Sequence, residues 1–125
     1  MDTNKAELAE AKRKQLEKAE KKEHNRLKKI YKNLPKNQFS VAEGLIQQAA
    51  RLRARQDMLW ADIVENGETD MFSQSSKSDP YERERPASRA FTAIAKVYQS
   101  VIKQLTDICP EAVEKDALEA FMDDG

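Results

Sequence analysis

The sequence predicts an all-α protein: a long basic N-terminal helix, a central antiparallel helical hairpin and a short C-terminal helix, completed by oligomerisation. Three observations predict it. Only 3 glycines and 4 prolines interrupt 125 residues, so the elements are few and long. The leading segment is built from Ala, Glu, Lys, Arg, Gln and Leu, the strongest helix formers. Farther on, apolar residues recur at steps of three and four rather than alternating. Hydrophobic residues make up 39% of the chain and charged residues 35%, at a mean hydropathy of −0.84. So thin an apolar supply points to a core shared between copies.

The first helix is predicted from Lys5 to about Tyr31, where no Gly or Pro occurs. Acid–base pairs four residues apart, Glu10 with Lys14 and Glu17 with Lys21, support it. Leu8, Leu16, Leu27 and Ile30 are too sparse for a continuous apolar stripe, so most of this helix is expected in water, with Leu27 to Leu34 docking on the body. A turn follows around Pro35. The second helix is expected to start at Ser40, where Ser40-Val41-Ala42-Glu43 reads as a capping box. Val41, Leu45, Ala49, Leu52, Leu59 and Ile63 continue it with Trp60 beside them, and Gly67 ends it.

Residues 68–85, with the run MFSQSSKSDP, are expected to be a long polar loop. The third helix starts near Asp79-Pro80 or at Pro86, since proline suits a first helical position. Ala87, Phe91, Ile94, Tyr98, Val101, Leu105 and Ile108 form its seam, at steps of four and three. From this row, Phe91, Ile94, Tyr98, Val101 and Leu105 are the expected oligomer interface. Pro110 ends the helix and opens a short fourth one, with Val113, Ala117, Leu118 and Phe121 on one face. Three regions result: a basic helical arm over 1–36, a hairpin core over 37–109, and an acidic C-terminal helix and tail over 110–125.

The net charge of +0 hides a division. Residues 1–36 carry twelve Lys/Arg against six Asp/Glu, and the remaining 89 residues carry ten against sixteen. Asp107 to Gly125 alone holds seven acids and only Lys115. A basic arm for a polyanion and an acidic tail for a different partner is one reading; a solvated helix with a solubilising tail is the other.

Catalytic chemistry finds little support. His24, the only histidine, lies in a charged run and is expected to be solvated, without a partner to orient it. Cys109, the only cysteine, fits a small buried apolar residue and a reducing interior better than a nucleophile. One His and one Cys build no structural zinc site, and Asp62, Glu65, Glu68 and Asp70 match no calcium loop. No glycine-rich phosphate loop occurs. Neither metal, cofactor nor enzymatic activity is expected. With no run of about 18 apolar residues and a charged start from Asp2, a cytoplasmic chain with no membrane association is expected.

What remains is basic. Lys12, Arg13, Lys14, Lys18, Lys21, Lys22, Arg26, Lys28, Lys29 and Lys32 spread charge along roughly 30 Å of helix, enough to meet several phosphates of double-stranded DNA. Interspersed Glu17, Glu20 and Glu23 dilute that charge. Arg51, Arg53 and Arg55 form a second group, suited equally to ion pairs between subunits and to DNA.

The order of parts resembles a known family. A basic leading segment is followed by a helix ending in IVENG (63–67) and a polar loop. A proline-initiated long helix, RPASRAFTAIAKVYQSVIKQL (85–105), and a stop at ICPE (108–111) complete the pattern. Over roughly residues 27–111 this is similar to the small terminase subunit of tailed bacteriophages. The resemblance implies a non-catalytic component of viral genome packaging, acting in the host cytoplasm. Such subunits form homo-oligomeric rings, bind the viral DNA and deliver it to a large terminase subunit holding the ATPase and nuclease. It also suggests that the acidic C-terminus meets that large subunit. The alternative is a helical adaptor or scaffold whose basic helix binds an acidic protein partner.

Overall fold

The structure, a computed structural model, describes residues 2–110. It contains three long helices, α1 (Asp2–Ile30), α2 (Lys36–Asn66) and α3 (Pro86–Ile108), with a two-stranded antiparallel hairpin, β1 (Thr69–Phe72) and β2 (Tyr81–Glu84), between α2 and α3. α2 lies centrally and packs on both other helices. Residues 31–35 turn the chain back, so α1 and α2 run antiparallel. α2 and α3 are antiparallel as well. Trp60 meets Phe91 at 5.4 Å between ring centroids at one end, and Val101 and Leu105 cluster with Ala42, Ile46 and Ala49 at the other.

The core concentrates at the end where α1 finishes, α2 begins and α3 closes. Leu27, Tyr31, Ala42, Ile46, Ala49, Val101 and Leu105 are buried there, with Ile30, Leu34, Leu45 and Ile102 around them. Small residues on α2 (Ala42, Ala49, Ala50 and Ala54, all buried) let the neighbouring helices approach closely.

α1 is more than an arm. Leu16 and Ala19 are already half-buried, and Leu27 and Tyr31 belong to the core. Only the stretch Asp2–Gln15 is exposed throughout. The stripe looked too sparse because polar residues complete it: Glu20, Glu23 and His24 are also half-buried. His24 is therefore not the fully solvated residue the charge run suggested.

The start of α2 also differs from expectation. It begins at Lys36, four residues before Ser40, with Pro35 as N-cap and no side-chain cap bond. Proline fixes the entry with φ −53° and ψ 148°, and its carbonyl accepts the Phe39 amide at 2.8 Å. With no breaker between Pro35 and Ser40, helix begins at once and Ser40 lies inside it. The end of α2 falls at Gly67 as expected: the glycine takes a positive φ of 89° with an extended ψ of 170°, and donates its amide to the Ile63 carbonyl at 2.7 Å.

The segment 68–85 is not a structureless loop. Thr69 pairs with Glu84, Asp70 with Arg83, Met71 with Glu82 and Phe72 with Tyr81. One face of the ribbon is a stack: the Arg83 guanidinium lies 3.8 Å from the Phe72 ring centroid, and Tyr81 meets that ring edge-on at 5.8 Å. At the root, the Glu68 carbonyl accepts the Arg85 amide at 2.9 Å and the Ser88 hydroxyl at 2.8 Å. The Arg85 guanidinium donates to the Gly67 carbonyl and to Asp62. α3 then starts at Pro86 as its first helical residue. The expected fourth helix and acidic tail, from residue 111 on, lie outside the described residues.

Candidate nucleic-acid interface

At 3.6 residues per turn, the inward positions of α1 run Leu16, Ala19, Glu20, Glu23, Leu27, Ile30. On the opposite side stand Lys14, Lys18, Lys21, Lys22, Lys28, Lys29 and Lys32, all exposed, with Asn25 among them. From Lys14 to Lys29 the row spans about 22 Å at 1.5 Å per residue, and Lys32 stands in the turn that follows α1. Two of the three acids that dilute the charge in the linear sequence are turned away from this side. Glu20 forms an ion pair with Arg51 of α2 at 3.5 Å. Glu23 is held by Arg26 on its own helix and reached by the Tyr98 hydroxyl of α3 at 3.4 Å. Glu17 stays exposed at the edge of the row, near Arg13 at 4.0 Å.

Burial opposes ionisation of Glu23, but the hydrogen bond and charge of Arg26, with Arg53 and Tyr98 adding to them, hold its carboxyl below the ordinary 4.5. Burial, joined by the Glu23 charge, raises the Tyr98 phenol above 10.0. Glu23 is thus an anion at neutral pH, and its charge is matched within the helix bundle rather than on the lysine side.

Three of the ten cations expected to meet DNA are placed elsewhere. Lys12 lies close enough to Asp62 of α2 to help lower that carboxyl, after the larger effects of Asn66 and Arg85. Arg13 pairs with Glu10 at 3.0 Å, and Arg26 binds Glu23. Of the seven on the outer side, Lys14 comes within 4.0 Å of Glu10. The second-helix arginines do not line one surface either. Arg51 is engaged by Glu20, while Arg53 pairs with Asp57 at 3.2 Å and covers the Tyr98 ring at 5.8 Å. Arg55 is exposed. Arg51 and Arg53 form these ion pairs within the chain.

The residues expected at an oligomer interface divide too. Ile94, Val101 and Leu105 are buried inside the single chain, while Phe91 and Tyr98 are half-buried against Trp60 and Arg53. Apolar surface that stays exposed is elsewhere: Val41 (65%), Trp60 (50%), Val64 (68%) and Val97 (47%). Their place could be read only from the packing, since Val41 belongs to the same spaced row as the buried positions and Val97 falls between two seam residues.

Cys109 is a free thiol, half-buried against the core. Among the described residues no three His, Cys, Asp or Glu side chains group as metal ligands, and no helix is long and apolar enough to cross a membrane. Asp62 and Asp70, two of the acids considered for a cation, bind Arg85 and Arg83. The chain matches no protein-family model, no curated protein and no solved structure with which it was compared.

Proposed function

We propose that this chain is a non-catalytic DNA-binding protein that holds duplex DNA on the outer face of α1, as a small terminase subunit does in viral genome packaging. The observation that carries the reading is the row of seven exposed lysines with Glu20 and Glu23 turned inward onto Arg51 and Arg26. Lysine ammoniums along one side of a rigid helix displace counterions from the phosphate backbone, which gives affinity without reading bases. Specificity then comes from DNA shape or from repetition around an oligomer. The exposed Val41, Trp60, Val64 and Val97 supply apolar surface for such self-assembly. Delivery of the bound genome to a large ATPase and nuclease subunit completes the role.

Changing Lys14, Lys18, Lys21 and Lys22 together to Glu is the test. These side chains point away from the core, so helical content and assembly state should stay as in the wild type. Affinity for every duplex sequence should fall by roughly a hundredfold or more, and the wild-type log–log salt slope should be steeper than about −3, at about −0.9 per phosphate neutralised. Undiminished duplex binding by this variant would falsify the lysine-face reading. Failure of the wild type to bind duplex, with salt-sensitive capture of an acidic protein instead, would favour the adaptor.

A further inference from the structure

The lysine face ends in a surface hollow where α1 turns into α2. Its volume is about 380 Å3, and Lys28, Lys32 and Lys36 stand around an apolar floor of Leu34 and Phe39. Pro35 supplies no side-chain cap to α2, and the Asn37 side chain takes only the Gln38 amide, so the remaining amides of the first turn add to the positive field of the three ammoniums. A hollow of this composition suits an anionic segment that also carries apolar side chains. Simple phosphate would leave Leu34 and Phe39 uncovered.

Such a segment begins at the same end of the molecule. α3 closes at Ile108, and Ile108 and Cys109 pack on the same core cluster that Leu34 packs on. The chain therefore reaches residue 110 on the same end of the molecule as the hollow. Residues 111–125, EAVEKDALEAFMDDG, hold six carboxylates against Lys115. Val113, Leu118 and Phe121 are spread among them. We propose that the acidic segment 111–125 docks in this hollow, setting its carboxylates on Lys28, Lys32 and Lys36 and its apolar side chains on Leu34 and Phe39. Covalent attachment at the same end of the molecule favours this occupant over any free acidic chain. Because Lys28 and Lys32 also belong to the outer lysine row, the docked segment and a polyanion compete for that end of it. This last consequence rests on the DNA-binding reading; the docking itself does not.

Zero-length carbodiimide crosslinking of the full chain tests both. The reagent joins a carboxylate to an amine only where the two already touch. Crosslinks from Glu111, Glu114, Asp116 and Glu119 should concentrate on Lys28, Lys32 and Lys36, at least about fivefold over Lys96 and Lys103, and fade as salt rises. An equal mixture of light and 15N-labelled chains should give crosslinks within one label only. Even scatter over the lysines, or crosslinks mainly between labels, overturns the proposal. Changing Lys28, Lys32 and Lys36 to Gln, exposed positions that leave the core intact, should lower the fluorescence anisotropy of a dye at the C-terminus; an unchanged anisotropy also overturns it. Added duplex DNA separates the two ideas. Displacement of the crosslinks upholds the competition, whereas crosslinks persisting in a chain that retains no duplex uphold the docking and remove the DNA reading alone.

Discussion

Glu23 shows how an acid within a mixed-charge run is drawn away from a basic surface. Its carboxylate sits among Arg26, the Tyr98 hydroxyl and the field of Arg53, so a charge adds to the apolar contacts of Leu27 and Tyr31 in tying α1 to the bundle. The carboxyl is held below its ordinary range, so it stabilises the fold above that range, and this stabilisation is lost as pH falls through it. Glu23→Gln should therefore lower stability by about 1 kcal/mol at neutral pH, a modest figure because solvent screens part of the pair. Denaturant melts taken between about pH 5 and pH 3 should show a shallower loss for the variant. An identical pH slope in both proteins would mean that Glu23 gains nothing from its partners. Sequence spacing alone could have flagged this residue, since it falls between Leu16, Ala19 and Leu27 on one helical side; the prejudice that acids belong outside hid it.

At the scale of elements, the helices were largely legible and the connections were not. Strong formers and the absence of breakers mark α1, and the glycine and proline stops mark the end of α2 and the start of α3. The capping pattern at Ser40 misled, because proline and an uninterrupted run after it outweigh a favourable side-chain cap. Ser40→Ala separates the two starts. At a true N-cap the change would cost about 1 kcal/mol, whereas inside a helix it should be neutral or slightly stabilising, by up to about 0.5 kcal/mol. A thermal shift downward by several degrees would contradict the helix start at Lys36. The β1–β2 ribbon escaped notice for a different reason. Both strands are exposed on most positions, so they lack the apolar alternation that announces a strand, and the ribbon is held by cross-strand pairs and by Arg85 at its root.

For the whole molecule, the regular row on α3 was recognised as a packing surface, and its partner turned out to be the chain's own α1 and α2. Ile94 and Val101 are buried without help from a second copy. Replacing both with Asp should cost more than about 4 kcal/mol, since two charges would enter a core with no partner. Circular dichroism should then show loss of helix at every protein concentration. A variant that kept its helices and merely changed mass by light scattering would place this row between subunits after all. Assembly, if it follows the proposed function, must draw on Val41, Trp60, Val64 and Val97, and their substitution should change mass without unfolding.

The sequence by itself determined that this protein is built from long helices, where α2 stops, where α3 starts and which row of α3 is buried. These are local matters of propensity, backbone stereochemistry and periodicity, and they are written in neighbouring residues. It also determined that charge is divided between the two ends of the chain. Only the tertiary structure decided which charges face water. Whether Glu20 and Glu23 dilute the basic row or vanish from it depends on Arg51, Arg26 and Tyr98, two of which lie far away in sequence. Contacts between distant residues also chose the partner of the α3 seam and brought the end of α3 to the end of the molecule where the Lys28–Lys32–Lys36 hollow lies, because both require α3 to be packed on the other helices.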